Sequence, residues 1–225
     1  MICIPVIMAA AALAVTADTR NIDDDCSVLI ANLERRFEAV TDYRCRYRAH
    51  TTDGKKTMTV TYRYYFKKPK WIRMEVLDGK YRGAVLCYKP HRVRLRLGGA
   101  FLSRFPMSFD PGHPWVRDVR GRRVDESHWG WLIERHAQAQ GLFRCRAGGR
   151  ENINGRAARS YTIESLDYRK TSGIAREDIW VTDDYIMVKN IFYGPDGAVV
   201  HTSDFTEITI NGGLDDRLFS PDQGD

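Results

Sequence analysis

The chain has 225 residues, of which 43% are hydrophobic and 28% charged, and it carries a formal net charge of +6. Those values fit a globular protein long enough to bury a real core. After residue 17 no run approaches the ~20 apolar residues that a membrane-spanning helix needs, and no phosphate-binding glycine loop or nucleotide fingerprint occurs.

Met1 to Ala17 contains no charged residue, Ile2 to Val15 is almost wholly apolar, and the segment ends in Val15-Thr16-Ala17 before a stretch rich in aspartate. This pattern predicts a secretory signal peptide over 1–17, cleaved near Ala17, and a single mature domain over 18–225. The usual basic residue ahead of the apolar run is missing, so an uncleaved anchor is the alternative. In an exported, periplasmic protein the positive balance suits an anionic lipid surface or an acidic partner and argues against nucleic acid.

The mature part holds Cys26, Cys45, Cys87 and Cys145, enough for two disulfides in an oxidising compartment. A helix over residues 26–40 would separate its ends by ~20 Å, and Cys45 follows its far end. A bridge needs Cα atoms within about 7 Å, which disfavours Cys26 with Cys45. Two connectivities remain, pairing Cys26 and Cys45 with Cys87 and Cys145 in either order; four buried thiols are the alternative. None of these spacings resembles a zinc site.

The first predicted element is a helix from Asp24 to Val40, with Leu29, Leu33, Phe37 and Val40 on one face and Asp23 to Asp25 as its cap. The period then switches to two. Tyr43, Cys45, Tyr47 and Ala49 alternate with Arg44, Arg46, Arg48 and His50, and Asp53-Gly54 signals a hairpin. Met58, Val60, Tyr62, Tyr64 and Phe66 alternate in the next strand, which Lys67-Lys68-Pro69 ends. Strands over 71–77, 83–88 and 92–97 complete an antiparallel meander. Gly98 to Val124 reads as irregular, and a stretch that long is usually functional. Asp125 is the predicted cap of a second helix over 126–140, with Trp129, Leu132, Ile133 and His136 on one face. Further strands are predicted over 157–165, 175–182, 185–193 and 198–210, giving about nine or ten in all. The expected fold is mainly β (α+β): a curved antiparallel sheet forming an open, incomplete β-barrel, with helices lidding its concave face.

Three pieces of the chain resemble the LolA/LolB-like superfamily, the periplasmic lipoprotein carriers and their relatives. They are the helix and strand entry over 33–47, Phe66-Lys67-Lys68-Pro69 followed by Leu86-Cys87-Tyr88-Lys89-Pro90, and the tail with Asn211, Leu214, Asp215 and Leu218-Phe219-Ser220-Pro221. The resemblance implies an apolar cavity that carries lipid or lipoprotein acyl chains, possible roles in outer-membrane lipoprotein sorting, and inner- or outer-membrane protein partners. In the carrier proper, an arginine before the proline of the second piece helps to hold the lid; here that position is Lys68, which lacks the planar fork of arginine. The superfamily also contains sensor domains, so a protein-interaction module with a filled core is the alternative.

On this reading Met58, Val60, Tyr62, Tyr64, Phe66, Met74, Leu86 and Tyr88 line the cavity, while Lys68, Trp129, Leu132 and Ile133 form the lid. The bland alternative for the same residues is a solid core. Arg117, Arg120, Arg122 and Arg123 are the candidate partner surface, whereas Arg44/Arg46/Arg48 and Arg92/Arg94/Arg96 read as a solvated outer face that discourages edge pairing. The six histidines are scattered, and His128 and His136 are too far apart for a helical metal pair. No catalytic residue, metal or cofactor is expected, and the protein is expected to act as a monomer.

Overall fold

A computed structural model describes residues 22–99, 105–139 and 141–222, with side chains from Cys26 onward. The segment read as a signal peptide and the side chains of Asp23 to Asp25 lie outside the described residues. Helix α1 spans Ile22–Glu38, and eleven strands follow, interrupted by α2 at Trp129–Gln138. The strands are β1 (Asp42–Thr52), β2 (Thr57–Lys67), β3 (Trp71–Gly79), β4 (Val85–Lys89), β5 (Arg92–Arg96), β6 (Met107–Phe109), β7 (Phe143–Ile153), β8 (Arg156–Ser165), β9 (Arg176–Val181), β10 (Met187–Tyr193) and β11 (Val199–Ile210). They form one antiparallel sheet in the order β6-β5-β4-β3-β2-β1-β11-β10-β9-β8-β7. The sheet does not close, so β6 and β7 are its edges. The mainly β, open-barrel architecture expected from the alternation is therefore observed.

Register explains which side chains meet. Tyr43, Cys45 and Tyr47 of β1 stand opposite Phe66, Tyr64 and Tyr62 of β2, which in turn face Ile72, Met74 and Val76 of β3. Successive side chains in a strand alternate faces, so this set covers the inner face and Arg44, Arg46 and Arg48 cover the outer one. All three arginines are exposed. Rings do much of the packing inside. Tyr43 stacks on Trp129 at 4.1 Å and on Phe66 at 5.1 Å, and Tyr47 stacks on Phe205 at 5.0 Å. Such pairs contribute about 0.5–1.5 kcal/mol each beyond the area they bury.

The disulfide expectation is half met. Cys26 is bonded to Cys145, tying α1 to β7, but Cys45 and Cys87 are free, buried thiols. The reason is parity. Cys45 faces Tyr64, Tyr64 faces Met74 and Met74 faces Leu86, so Cys87, one residue on, points to the opposite face. The two cysteines also sit three strands apart, roughly 14 Å at the usual strand spacing.

The outer face over β2 to β5 is covered by the chain end. A 3-10 turn at Asp216–Phe219 buries Phe219 against Trp71. Arg73, 1% exposed, donates from Nη1 to the carbonyls of Leu218 and Ser220, both at 2.8 Å. Arg94 pairs with Asp222 at 2.9 Å. Of the second arginine stripe, read as solvated, Arg94 thus anchors the tail while Arg92 is exposed. The tail begins at a second clamp: the buried Asp42 carboxylate accepts from the backbone amides of Gly212, Gly213 and Leu214, and Asn211 bridges Thr41 N and Ala39 O.

The second helix differs from its predicted bounds. Val124–Glu126 is a separate 3-10 turn, and α2 starts at Trp129 with His128 as its cap, the imidazole Nδ1 accepting from Trp131 N at 3.2 Å. Asp125, the expected cap, instead pairs with Arg123. The stretch expected to be irregular also contains β6 and a 3-10 turn at Pro114–Val116.

Candidate functional site: a helix-lidded inner face

Two helices lie over the inner face. Leu29 and Leu33 of α1, and Val40 just beyond the helix, which ends at Glu38 rather than at the expected Val40, are buried in the main core together with Trp129, Leu132 and Ile133 of α2. The helices cross closely at Gly130, where a Cβ would fall 2.4 Å from the Phe37 ring; any larger residue would push α2 away. His128 stacks on Phe66 at 5.0 Å. Tyr64 Oη lies 3.0 Å from Ser127 Oγ, and Trp129 N donates to Tyr43 Oη at 3.4 Å. Burial raises the pKa of Tyr43, Tyr47, Tyr62 and Tyr64, so these phenols remain protonated, polar tips on an apolar floor. The same burial lowers His128 to about 3.

The helices are fastened unequally. One end of α1 is covalently joined to β7 through Cys26. At the other end Lys68 Nζ donates to the carbonyls of Phe37 at 2.9 Å and Glu38 at 2.8 Å, and it also lies over the Phe37 ring. Lys68 therefore does reach two carbonyls of the helix despite lacking a fork. Helix α2 is tied to β9 by Arg135 and His136 on Glu177, and it and its cap carry more buried polar atoms with no partner among the described residues than α1, which has Arg36 Nε: His128 Nε2, Trp129 Nε1, Arg135 Nε and Nη1, and His136 Nδ1. Each such group costs about 1–3 kcal/mol relative to a satisfied one.

All eight expected cavity residues lie on β2 to β4, and all share the inner face by register. Tyr64, Phe66, Met74 and Tyr88 belong to the main core with the helices, whereas Val60 belongs to a smaller cluster with Val76, Ala84 and Leu95, against which Met58, Tyr62 and Leu86 pack. None of the eight lines either of two hollows that flank α2. The first, about 10 Å³, lies between the helices against Leu33, Phe37, Val40, Trp129 and Ile133. The second, about 190 Å³, lies beneath the arginine loop against Arg120, Arg122, Glu126, Trp131, Ser172 and Ile174.

The arginine loop is a pinned turn. Asp118 Oδ1 accepts from the amides of Arg120 and Arg122, both at 2.9 Å, and Oδ2 accepts from Arg122 Nε at 3.0 Å. Arg117 and Arg123 are exposed, whereas Arg122 reaches inward to His201 Nδ1 at 2.9 Å and lies over Phe192. Two polar clusters escape a reading by motifs. The first is His201 with Thr51, Ser203 and Tyr47; burial, then Arg122, holds this imidazole well below its ordinary pKa. The second is Arg135 with Glu177, whose carboxylate is also 3.0 Å from His136. The available signal is parity: Glu177 alternates with the apolar Ile179 and Val181, which places a carboxylate inside. Among the described residues no group of His, Cys, Asp and Glu is placed to hold a metal ion.

No protein-family model and no curated protein matches the sequence. Solved structures do. The crystal structure of MucB is 12% identical with a TM-score of 0.53, covering 88% of this chain and 62% of its own. An uncharacterised conserved protein from Thermus thermophilus is 11% identical with a TM-score of 0.52, covering 87% and 92%. A Vibrio parahaemolyticus domain described as outer membrane lipoprotein-sorting is 12% identical with a TM-score of 0.43, covering 88% and 97%. The chain shares with the MucB and Thermus thermophilus structures a fold in which an open antiparallel sheet carries helices across its inner face. This likeness concerns the fold, and the chain spans less than two thirds of MucB's length.

Proposed function

We propose that the protein is an exported, periplasmic, non-catalytic binder that takes lipid, or the acyl chains of lipoproteins, onto the apolar inner face of its sheet. In this reading α2 is the moving lid and α1 the fixed wall. The observation that carries it is the unequal fastening: α1 is held by a disulfide and by Lys68, whereas α2 has no covalent tie and, beside its Arg135–Glu177 ion pair, holds several buried polar atoms that lack partners. The opposing energies are of similar size. Exposing Trp129, Leu132 and Ile133 costs about 5–9 kcal/mol, releasing the buried Arg135–Glu177 pair about 3–5 kcal/mol more, and a sixteen-carbon chain contributes about 12 kcal/mol at ~0.8 kcal/mol per methylene. Met58, Val60, Tyr62, Tyr64, Phe66, Met74, Leu86 and Tyr88 would then form the acyl-binding floor.

A second reading, an interaction module acting through Arg117, Arg120, Arg122 and Arg123, is favoured by the ring-filled interior around Tyr43, Trp129 and Phe205. MucB itself has been solved in complex with MucA.

Native mass spectrometry of protein purified from the periplasm, before and after offering phospholipid or an acylated peptide, separates the two. Acyl-chain binding predicts a stoichiometric adduct, taken up faster by Tyr64→Phe, which loses the contact with Ser127 but keeps its ring. A clean mass and no uptake by either protein would refute acyl binding and favour the interaction module.

A further inference from the structure

The 190 Å³ hollow beside α2 is a built site. Its walls come from three separate elements: the pinned arginine turn with the following Glu126, Trp131 of α2, and the loop between β8 and β9 with Ser172 and Ile174. That last loop is fixed by Thr171, fully buried, whose Oγ1 donates to Ile174 O and lies 2.8 Å from Ser165 Oγ. The turn is fixed by Asp118, as described above. The space is well over ten times the ~10–15 Å³ that one water occupies on this measure, yet smaller than a drug-sized pocket.

Counting charges identifies what would fit. Arg122 is paired with Asp118, Arg123 with Asp125, and Arg135 with Glu177. Two charged residues that line the hollow remain without an ion pair among the described residues: Arg120 and Glu126. Arg120 is half-buried, and its guanidinium makes no hydrogen bond there; burial, then the neighbouring Arg122, lowers its pKa. Glu126 uses one oxygen to accept from Arg123 N at 3.0 Å. A simple anion would meet Glu126, and a simple cation would meet Arg120. A ligand with both signs satisfies both, and Ser172 adds a hydroxyl.

We propose that this hollow binds a small zwitterion of the phosphoethanolamine class, its phosphate held by Arg120 and Ser172 and its ammonium by Glu126. The chemistry is shared by a soluble phosphoethanolamine ester and by the headgroup of phosphatidylethanolamine. The site lies outside the eight-residue acyl floor and does not depend on the acyl-binding reading.

Titration calorimetry of the full chain with phosphoethanolamine, with glycerol 3-phosphate as an anion lacking the amine, tests it. The expected result is saturable binding of phosphoethanolamine at least about tenfold tighter than glycerol 3-phosphate, the scale of one charge-assisted contact. Arg120→Gln should weaken phosphoethanolamine by about tenfold or more, and Glu126→Gln should bring the two ligands to near-equal affinity. Each variant's thermal melt checks that it is folded. Flotation with vesicles of phosphatidylethanolamine and phosphatidylcholine, lost in Arg120→Gln, assigns the source to a lipid headgroup; binding of the soluble compound without flotation assigns it to a free ester. No binding of either form, equal binding of glycerol 3-phosphate by the unmodified protein, or an unaffected Arg120→Gln would overturn the proposal.

Discussion

Replacing Cys26 and Cys145 together by serine removes the covalent tie between α1 and β7 and leaves the rest of the chain unchanged. The bridge closes a span of 119 residues. In the chain-entropy account, cross-linking a span that long raises the free energy of the unfolded state by about 5 kcal/mol, and measured losses on removing native bridges run at about 2–5 kcal/mol. The apolar face of α1, with Leu29 and Leu33 almost fully buried, is untouched, so the helix should still dock. At an m-value of about 2 kcal/mol/M, the urea midpoint should fall by about 1–2.5 M. No substitute bridge can form in the folded variant, because Cys45 and Cys87 lie on opposite faces of the sheet. Urea unfolding followed by far-UV circular dichroism, on the oxidised protein and the double variant, measures the shift. A change below about 0.3 M would refute the argument, since it would leave α1 held by its apolar face alone.

Two further outcomes follow from single residues. Arg73→Met removes the guanidinium that holds Leu218 O and Ser220 O, leaving Glu75 without its 2.6 Å partner. It should cost about 3 kcal/mol or more and speed tryptic cleavage after Arg217; unchanged tail protection would contradict the clamp. His128 has a folded pKa of about 3, below its unfolded value of about 6.5. The unfolded chain therefore binds the proton first, so this contribution is complete above pH ~6.5 and is lost as pH falls towards 3, at about 1.4 kcal/mol per unit. His128→Asn, which keeps a capping acceptor, should show a urea midpoint with a shallower pH slope between pH 6 and 4; identical slopes would rule out a buried neutral imidazole.

Much of the sheet is legible in the sequence because burial on one face writes itself as alternation. The aromatic positions of β2 and the Tyr43/Cys45/Tyr47 set of β1 fall where the period places them. The same parity excludes a Cys45–Cys87 bridge once Leu86 and Tyr88 are read as inward. Other features depend on contacts between distant segments and leave no local pattern. The pairing of β1 with β11, which joins the two halves of the sheet, is one. The tail over the outer face is another, although an arginine amid the apolar residues of β3 hints that something covers it. The start of α2 departs from expectation because Asp125 is a common type of cap and His128 an uncommon one. Arg123, two residues away, takes Asp125, and the imidazole has the acceptor in reach.

The position of Lys68 bears on which helix can move. Where the carriers use an arginine, this chain has a lysine whose Nζ reaches the carbonyls of Phe37 and Glu38. An ammonium offers three donors without a fixed plane, so two carbonyls of one helix turn are within its capacity even though the fork is lost. The Cys26–Cys145 bond secures the opposite end of α1, on an edge strand. A 17-residue helix is about 25 Å long, so α1 acts as a strap fixed at the β2–β3 turn and at β7. Lifting it would require breaking a covalent bond or stripping a charged group from two carbonyls. Lifting α2 breaks no covalent bond; it must release Arg135 and His136 from Glu177, or pivot about that pair, while exposing its unpartnered polar atoms to water recovers hydration that the closed form withholds. If the inner face opens to a ligand, that balance selects α2, with Trp129 leaving the Tyr43 ring as the first contact to break.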